Sequence, residues 1–408
     1  MIRHQVYFDT LGSLREDSGS WRAVFAGLSV LRLVDSYVDL GPQGTPPNWA
    51  QLHSVRAAVD DIHEGDPVRG VLGCVIDEMT TRGAVDETVC AGLLSYGRAL
   101  DYEASWGLAA DVFATVARVV KPEKNPRLAV EANIAVGGAA RRNGDWEVSA
   151  RAYSQAAYVA DALGDRKGVL TVQVGIANTY MAKGNLPQCK TILEDVIVQA
   201  RDQGLTEVEG FALHSRAALA HRLGDKADVV KLAHDALKLT TAPAARDAVL
   251  EELAIGFSEL GMQAAARDAH LILAATAQAK WVRWQASINL MEIASLEGME
   301  SAFSQYASEL RHAPMGPWLK SYFLLFLGEG LERFGRGEEA AQVLAEAIDF
   351  SALNQIHPVT FKAESALVAL RAANRRTAVA PSFYQPTEEV LAVAHAISDL
   401  REVVLPRA

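Results

Sequence analysis

The sequence predicts an all-α chain whose helix pairs stack one on another as a solenoid, and three features carry that expectation. Glycines recur at near-constant intervals, apolar residues flank each of them at helical spacing, and the composition favours helices that approach closely. Half of the 408 residues are apolar, only 7% are aromatic, and alanine is abundant. That balance suits packed helices better than twisted sheets. A chain of this length either divides into two or three globular domains or forms a repeat array, so the repeat is tested first.

The clearest frame runs Leu327-Gly328, Leu331, Gly335, Ala340, Leu344 and Ala347, an apolar helix stripe before and after a turn at Gly335. The turn glycines of the series are Gly144, Gly184, Gly224, Gly261, Gly298 and Gly335, at intervals of 40, 40, 37, 37 and 37 residues. A seventh copy precedes them. There Tyr96-Gly97, Leu100, Trp106, Ala109 and Phe113 fall in frame, and Ala104 stands at the turn position in place of glycine. Glycine at the turn reaches positive φ without a Cβ clash, and small residues let paired helices approach; the frame sets Gly328 opposite Ala340. Neither helix can bury its stripe alone, so each pair leans on its neighbours and leaves a concave face.

The copy Val136-Gly137, Ala140, Gly144, Trp146, Ser149, Tyr153, Ala156 resembles the tetratricopeptide repeat, whose pattern has an apolar-Gly pair, a turn Gly, an aromatic, a small residue, a second aromatic and alanine. These copies are longer than that family's repeat of about 34 residues. The resemblance covers residues 90–350. It implies a right-handed α-solenoid of seven to eight helix pairs with capping helices: an N-terminal helical cap over 1–89, including one eroded pair, and C-terminal capping helices over 351–408.

Outside the frame, residues 21–39 read as a helix ending at the Gly41, Pro42, Gly44, Pro46, Pro47 cluster. Two further helices are expected between Asn48 and Arg82, parted near Gly65-Asp66-Pro67. Prolines in Lys121–Pro126, Thr240–Pro243 and His312–Pro317 punctuate the pairs, since proline stops one helix and starts the next. Phe361–Asn374 and Thr387–Val404 read as helices flanking a Pro381–Pro386 loop.

A net charge of -11 argues against a nucleic-acid or anionic-membrane partner, which needs a surplus of Lys and Arg on one face. Met1–Leu14 lacks the apolar core of a signal peptide, and the apolar runs are too short to span a bilayer, so a cytoplasmic protein without membrane insertion is expected. Cys74, Cys90 and Cys189 are too few for a disulfide framework or zinc site and read as buried free thiols. There is no Gly-Lys dipeptide, HExxH or GxSxG, so the common catalytic signatures are missing; no enzyme activity, cofactor or metal is expected. His214 and His221 are seven residues apart, a rise of about 10.5 Å, too far to share one metal. His53 and His63 read as solvated. Trp281, Trp284 and Trp318 read mainly as packing between repeats, with a partner anchor as the alternative.

In the tetratricopeptide family the first helix of each pair lines the groove, with contacts about 13, 10, 6 and 3 residues before the turn glycine. Carried over, that frame selects Arg98, Asp101, Glu131, Arg141, Asn178, Met181, Phe211, His214 and His221, then Glu251, Gln285, Glu292, Tyr322, Glu329 and Glu332. The ionisable residues of the later copies are acidic and are expected to converge as exposed charges, with Tyr322 between them. Their guest would carry a basic segment. The family's two-carboxylate clamp is disfavoured, because Val174 and Glu252 stand where it needs basic or polar groups. The function expected is a non-catalytic adaptor or scaffold that binds a protein or peptide. The alternative is a bacterial regulatory sensor that binds a short peptide or partner enzyme and switches its activity.

Overall fold

Each helix pair turns on a residue in the left-handed region. Gly144, Gly184, Gly224, Gly261, Gly298 and Gly335 have φ between 73° and 83°. Ala104, where the frame lacks glycine, has φ 60°. Both kinds of turn close the same way: the Ser105 N–H donates to the Leu100 carbonyl at 2.8 Å, and the Asp145 N–H donates to the Ala140 carbonyl at 2.8 Å. This closure satisfies carbonyls left over at the end of the first helix. At Gly144, Gly184 and Gly224 the next residue is Asp145, Asn185 or Asp225, whose side chain caps the following helix. After Gly261, Gly298 and Gly335 the corresponding residues, Met262, Met299 and Arg336, make no such cap.

The computed structural model describes residues 3–16, 18–39, 49–64, 66–313, 315–354, 356–371 and 385–405, which contain no strand. The proline cluster at 41–47, Gly65, Pro314 and most of the Pro381–Pro386 stretch lie outside the described residues. The chain divides into two units, 1–208 and 209–408. The helices before the series are α1 (Gln5–Ser13), α2 (Gly19–Asp39), α3 (Trp49–Asp60) and α4 (Pro67–Arg82). The series continues with α5 (Glu87–Tyr102), α6 (Trp106–Val119), α7 (Pro126–Arg142), α8 (Trp146–Leu163), α9 (Arg166–Ala182), α10 (Leu186–Asp202), α11 (Thr206–Leu223) and α12 (Lys226–Leu239). After them come α13 (Pro243–Glu259), α14 (Gln263–Thr276), α15 (Lys280–Leu296), α16 (Glu300–Arg311), α17 (Pro317–Arg333) and α18 (Gly337–Leu353), then α19 (His357–Arg371) and α20 (Glu388–Val404). Consecutive helices pack on each other from α1 to α10 in the first unit and from α12 to α19 in the second, and the architecture is an all-α helical-repeat solenoid, with the seven expected turns joining α5–α6 through α17–α18. Proline opens α7, α13 and α17 as the sequence suggests.

In three of the pairs a glycine faces a large residue 16 positions later. A methyl group on Gly137 would lie 2.7 Å from the Tyr153 ring, and one on Gly328 would lie 2.7 Å from the Leu344 side chain. Gly97 and Phe113 stand in the same relation. The structure thus corrects one detail of the frame: Leu344, rather than Ala340, meets Gly328, while Ala340 is fully buried nearby. Tyr153 also lies against Gly175 of α9, so its ring is held between glycines of two pairs.

In the first unit α1 is an addition that the sequence does not announce. Tyr7 is fully buried, and its hydroxyl donates to that of Tyr96 at 3.1 Å. His4 is bonded to Asp111 at 2.5 Å and lies 3.4 Å from Asp35, which also pairs with Arg3 at 3.1 Å and with Arg118. In the second unit α19 packs on α17 and α18, whereas α20 lies on α12 and α14. Val390, Val393 and Ile397 bury its apolar stripe, and Arg401–Asp268 at 3.0 Å and Lys231–Glu389 at 2.7 Å fix its ends.

Cys90 and Cys189 are buried thiols as expected, but Cys74 is exposed, because it falls on the outward face of α4. Trp281 and Trp284 pack against the core, while Trp318 is 53% exposed. No helix among the described residues is long and apolar enough to cross a membrane.

A left-handed alanine costs about 1 kcal/mol relative to glycine. Ala104→Gly is therefore expected to raise stability by about 0.5 to 1 kcal/mol after the entropy of the freer unfolded chain is deducted. Gly144→Ala should lower it by about 1 kcal/mol. Urea denaturation checks both; equal midpoints for all three proteins would remove the turn from the list of stability determinants.

Candidate functional site

The groove frame selects residues from the first helices of the pairs, and the structure treats those of the two units differently. In the first unit three of the charged ones are paired across helices. Arg98 of α5 bonds Glu131 of α7, and Asp101 of α5 accepts from Arg142 Nε of α7 at 3.1 Å. Arg141 is half-buried and bonded to the Tyr153 hydroxyl; loss of solvent lowers its pKa, with the phenol pulling the other way. Asn178 and Met181 are buried, so the frame places them beneath the surface rather than on it.

In the second unit His221 bridges two carboxylates, with Nδ1 3.1 Å from Glu252 and Nε2 3.3 Å from Glu259. His214 is half-buried, and desolvation pushes its imidazole down to about 4. Glu251 is half-buried beside Glu252 and Asp247. Burial first, and those like charges second, push its carboxyl up to about 7. Tyr322 is the middle rung of an aromatic row on α17, 5.1 Å from Trp318 and 5.9 Å from Phe326 between ring centres. Gln285 hydrogen-bonds Asn289 at 3.4 Å, and Phe211 is exposed.

Glu292 is the point where the site gathers. A cleft of about 410 Å³ is lined by Glu292 of α15, by Leu325, Phe326 and Glu329 of α17, and by Phe361, Lys362 and Ser365 of α19. A second cleft, of about 300 Å³, opens between α13 and α15 with α14 beneath, and Glu292 lines it too. Burial pushes the Glu292 carboxyl up to about 7; Glu329 adds to the rise, and Arg333 and Lys362 oppose it.

Glu329 is engaged by Arg333 at 3.3 Å, and the same arginine donates to Ser295 Oγ at 2.7 Å. Glu292 and Glu329 share a cleft that also holds Lys362. One expectation is corrected here: Glu251 and Glu292 are half-buried rather than exposed charges, because the packing of successive first helices takes much of their water away.

Sequence reasoning missed Lys362 and Phe361 because the glycine series ends at Gly335. Extending it by one more interval of 37 would have set Lys362 ten residues before the next turn position. The Trp318, Tyr322, Phe326 spacing of four was equally available. His270 and Gln263, which floor the second cleft, belong to a second helix, where the groove frame does not look.

The raised carboxyls make a stability prediction. A folded pKa near 7 against an unfolded value near 4.5 means that the folded chain binds more protons between those values. Stability linked to each group is therefore full below the unfolded value and is lost as pH rises through about 7. Glu292→Gln should stabilise by about 1 to 2 kcal/mol at pH 8 and change little near pH 4.5, with Glu251→Gln behaving alike. Thermal melts at the two pH values test this, and a pH-independent difference would show that these carboxyls titrate normally.

No protein-family model matches the chain, and no curated protein matches it. Among solved structures the chain is similar to a Rap protein complexed with competence and sporulation factor, at 12% identity and a TM-score of 0.34, over 87% of this chain and 98% of that one. It is also similar to a circular tandem repeat protein with novel repeat topology and enhanced subunit contact surfaces, at 15% identity and a TM-score of 0.17, over 95% of this chain and 89% of that one. Neither likeness bears on what this chain binds.

Proposed function

We propose that the chain is a non-catalytic binding protein, an adaptor or scaffold. Its second unit takes a peptide or protein segment bearing a basic residue along α13, α15, α17 and α19. The observation that carries this reading is Glu292, a half-buried carboxyl shared by both clefts and held near 7 by desolvation. Ionising it without a counter-charge is unfavourable, and a guest cation would relieve that cost.

The surroundings support a segment rather than a lone ion. Trp318, Tyr322 and Phe326 form a continuous aromatic row, and Phe361 is 66% exposed across the cleft from Phe326, so an extended guest meets large apolar anchors beside the charge. Lys362 stands in the same cleft and disfavours a second cation there. The basic residue of the guest therefore belongs at Glu292, with apolar or acidic residues beside Lys362. A chain charge of -11 favours such a partner over nucleic acid.

Fluorescence anisotropy with labelled short peptides tests this. A peptide with one basic and one aromatic residue should bind, while its acidic counterpart should not. Affinity should rise from pH 6 to pH 8 as Glu292 ionises, because a bound cation favours the carboxylate. It should fall on raising salt from about 50 to 300 mM. Glu292→Gln should cost about tenfold or more, as expected for loss of a charge-assisted bond, and should flatten the pH dependence. Binding that ignores Glu292→Gln in a folded variant places the interface elsewhere.

A further inference from the structure

The cleft between α13 and α15 contains two polar atoms that the protein leaves unanswered. His270 is 1% exposed and its Nδ1 has no hydrogen-bond partner; Gln263 Oε1 is buried and equally without one. Both residues are on α14 and line the cleft. They are seven residues apart, two turns on one helix face. A buried polar atom without a partner costs about 1 to 3 kcal/mol, so a pair of them at one site calls for an occupant.

The lining restricts that occupant. Glu259 and Glu292 bring two carboxylates, Asn289 and Ser258 add neutral polar groups, and Ile255, Ile293 and Leu296 supply apolar wall. An anion is repelled by the carboxylates. Glu259 is already held from behind by His221 Nε2 at 3.3 Å, which fixes a carboxylate in place before anything arrives. Desolvation keeps the His270 ring neutral, with its pKa pushed down to about 4, so that Nδ1 is able to accept. The set is therefore rich in acceptors: two carboxylates, an amide oxygen and a neutral imidazole.

An ammonium concentrates three donors at one point, whereas a guanidinium spreads five over a plane and so meets acceptors on separate walls of the cleft. We propose that this cleft is a subsite for a guanidinium group, the arginine side chain of the bound segment. Glu292 and Glu259 face its charge, and Gln263 and His270 accept from its outer N–H groups. The inference rests on the groove reading above and narrows its basic residue to arginine.

The test uses the full chain and small probes. With histidine-labelled protein, the ring signals of His270 are assigned by their loss in His270→Phe. N-acetyl-arginine amide, N-acetyl-lysine amide and N-acetyl-citrulline amide are then titrated separately. The arginine probe should move the His270 signals, with the lysine and citrulline probes at least fivefold weaker. Gln263→Leu, at the start of α14, should reduce arginine binding about fivefold while leaving the fold intact, so the test survives if His270→Phe does not fold. His270 signals that stay still through a saturating arginine titration overturn the subsite and leave the cleft to water. If peptides containing arginine or lysine bind equally, and equally to Gln263→Leu, the subsite falls while the groove reading stands. If no basic peptide binds but the arginine probe still moves His270, the groove reading falls and the subsite stands.

Discussion

The close approach of paired helices is the constraint on which the rest of the structure depends. Gly97 against Phe113, Gly137 against Tyr153 and Gly328 against Leu344 leave no room for even a methyl group. Each contact joins positions 16 apart, so it fixes at once the turn between the helices and their register. Cores packed to this density transmit displacement rather than absorb it. Tyr153 shows the next level: because it also fills the space over Gly175, the geometry inside one pair determines how the following pair is seated. A local contact thus helps to set the register of the neighbouring pair.

The same packing creates the polar features of the candidate site. Stacking first helices side by side brings Glu292, Glu329 and Lys362 from three of them into one cleft. It also withdraws water from whatever side chains line the seam. Where opposite charges meet across the seam, as Arg98 and Glu131 do, the loss of water is offset by pairing. Where nearby opposite charge falls short of the lost water, the carboxyl responds by taking up a proton more readily, as Glu251 and Glu292 do. One architectural rule therefore yields either a quiet surface or a receptive one, according to the residues placed on it.

How much of this is legible in the sequence follows from the range of each interaction. The turn glycines, the Ala104 substitution and the prolines opening α7, α13 and α17 are local effects of backbone freedom, and all are readable from single residues and their spacing. The selection of Glu292 is readable too, because it follows from the repeat frame. What a carboxyl there experiences is not, since burial and the placement of Arg333 and Lys362 are set by neighbouring helices. α1 escapes notice because its anchoring depends on partners 89 and 107 residues away, Tyr96 for Tyr7 and Asp111 for His4. The seating of α20 on α12 and α14 is hidden for the same reason. Its stripe of Val390, Val393 and Ile397 shows that it must bury a face but not which face it meets.

Under the groove reading proposed above, the contrast between the units indicates where a partner would gain most. A surface whose charges are mutually satisfied gains little from a partner, which would have to break those pairs and dehydrate them before contributing anything. Arg98 with Glu131 and Arg142 with Asp101 are in that condition, whereas Arg141 of α7 is desolvated with its Nε unmet. Around α14 and α15 the situation is reversed. Glu292 carries an unfavourable ionisation, and His270 Nδ1 and Gln263 Oε1 carry unmet hydrogen bonds, all tolerated because α14 and α15 are clamped on their other faces by apolar packing. A guest that answers these groups recovers a cost the folded chain has already borne, so few contacts suffice for a useful affinity. Local dissatisfaction inside an otherwise consistent fold is the usual mark of a site kept for function. By that criterion the second unit, and within it the seam around Glu292, is where a partner has most to gain.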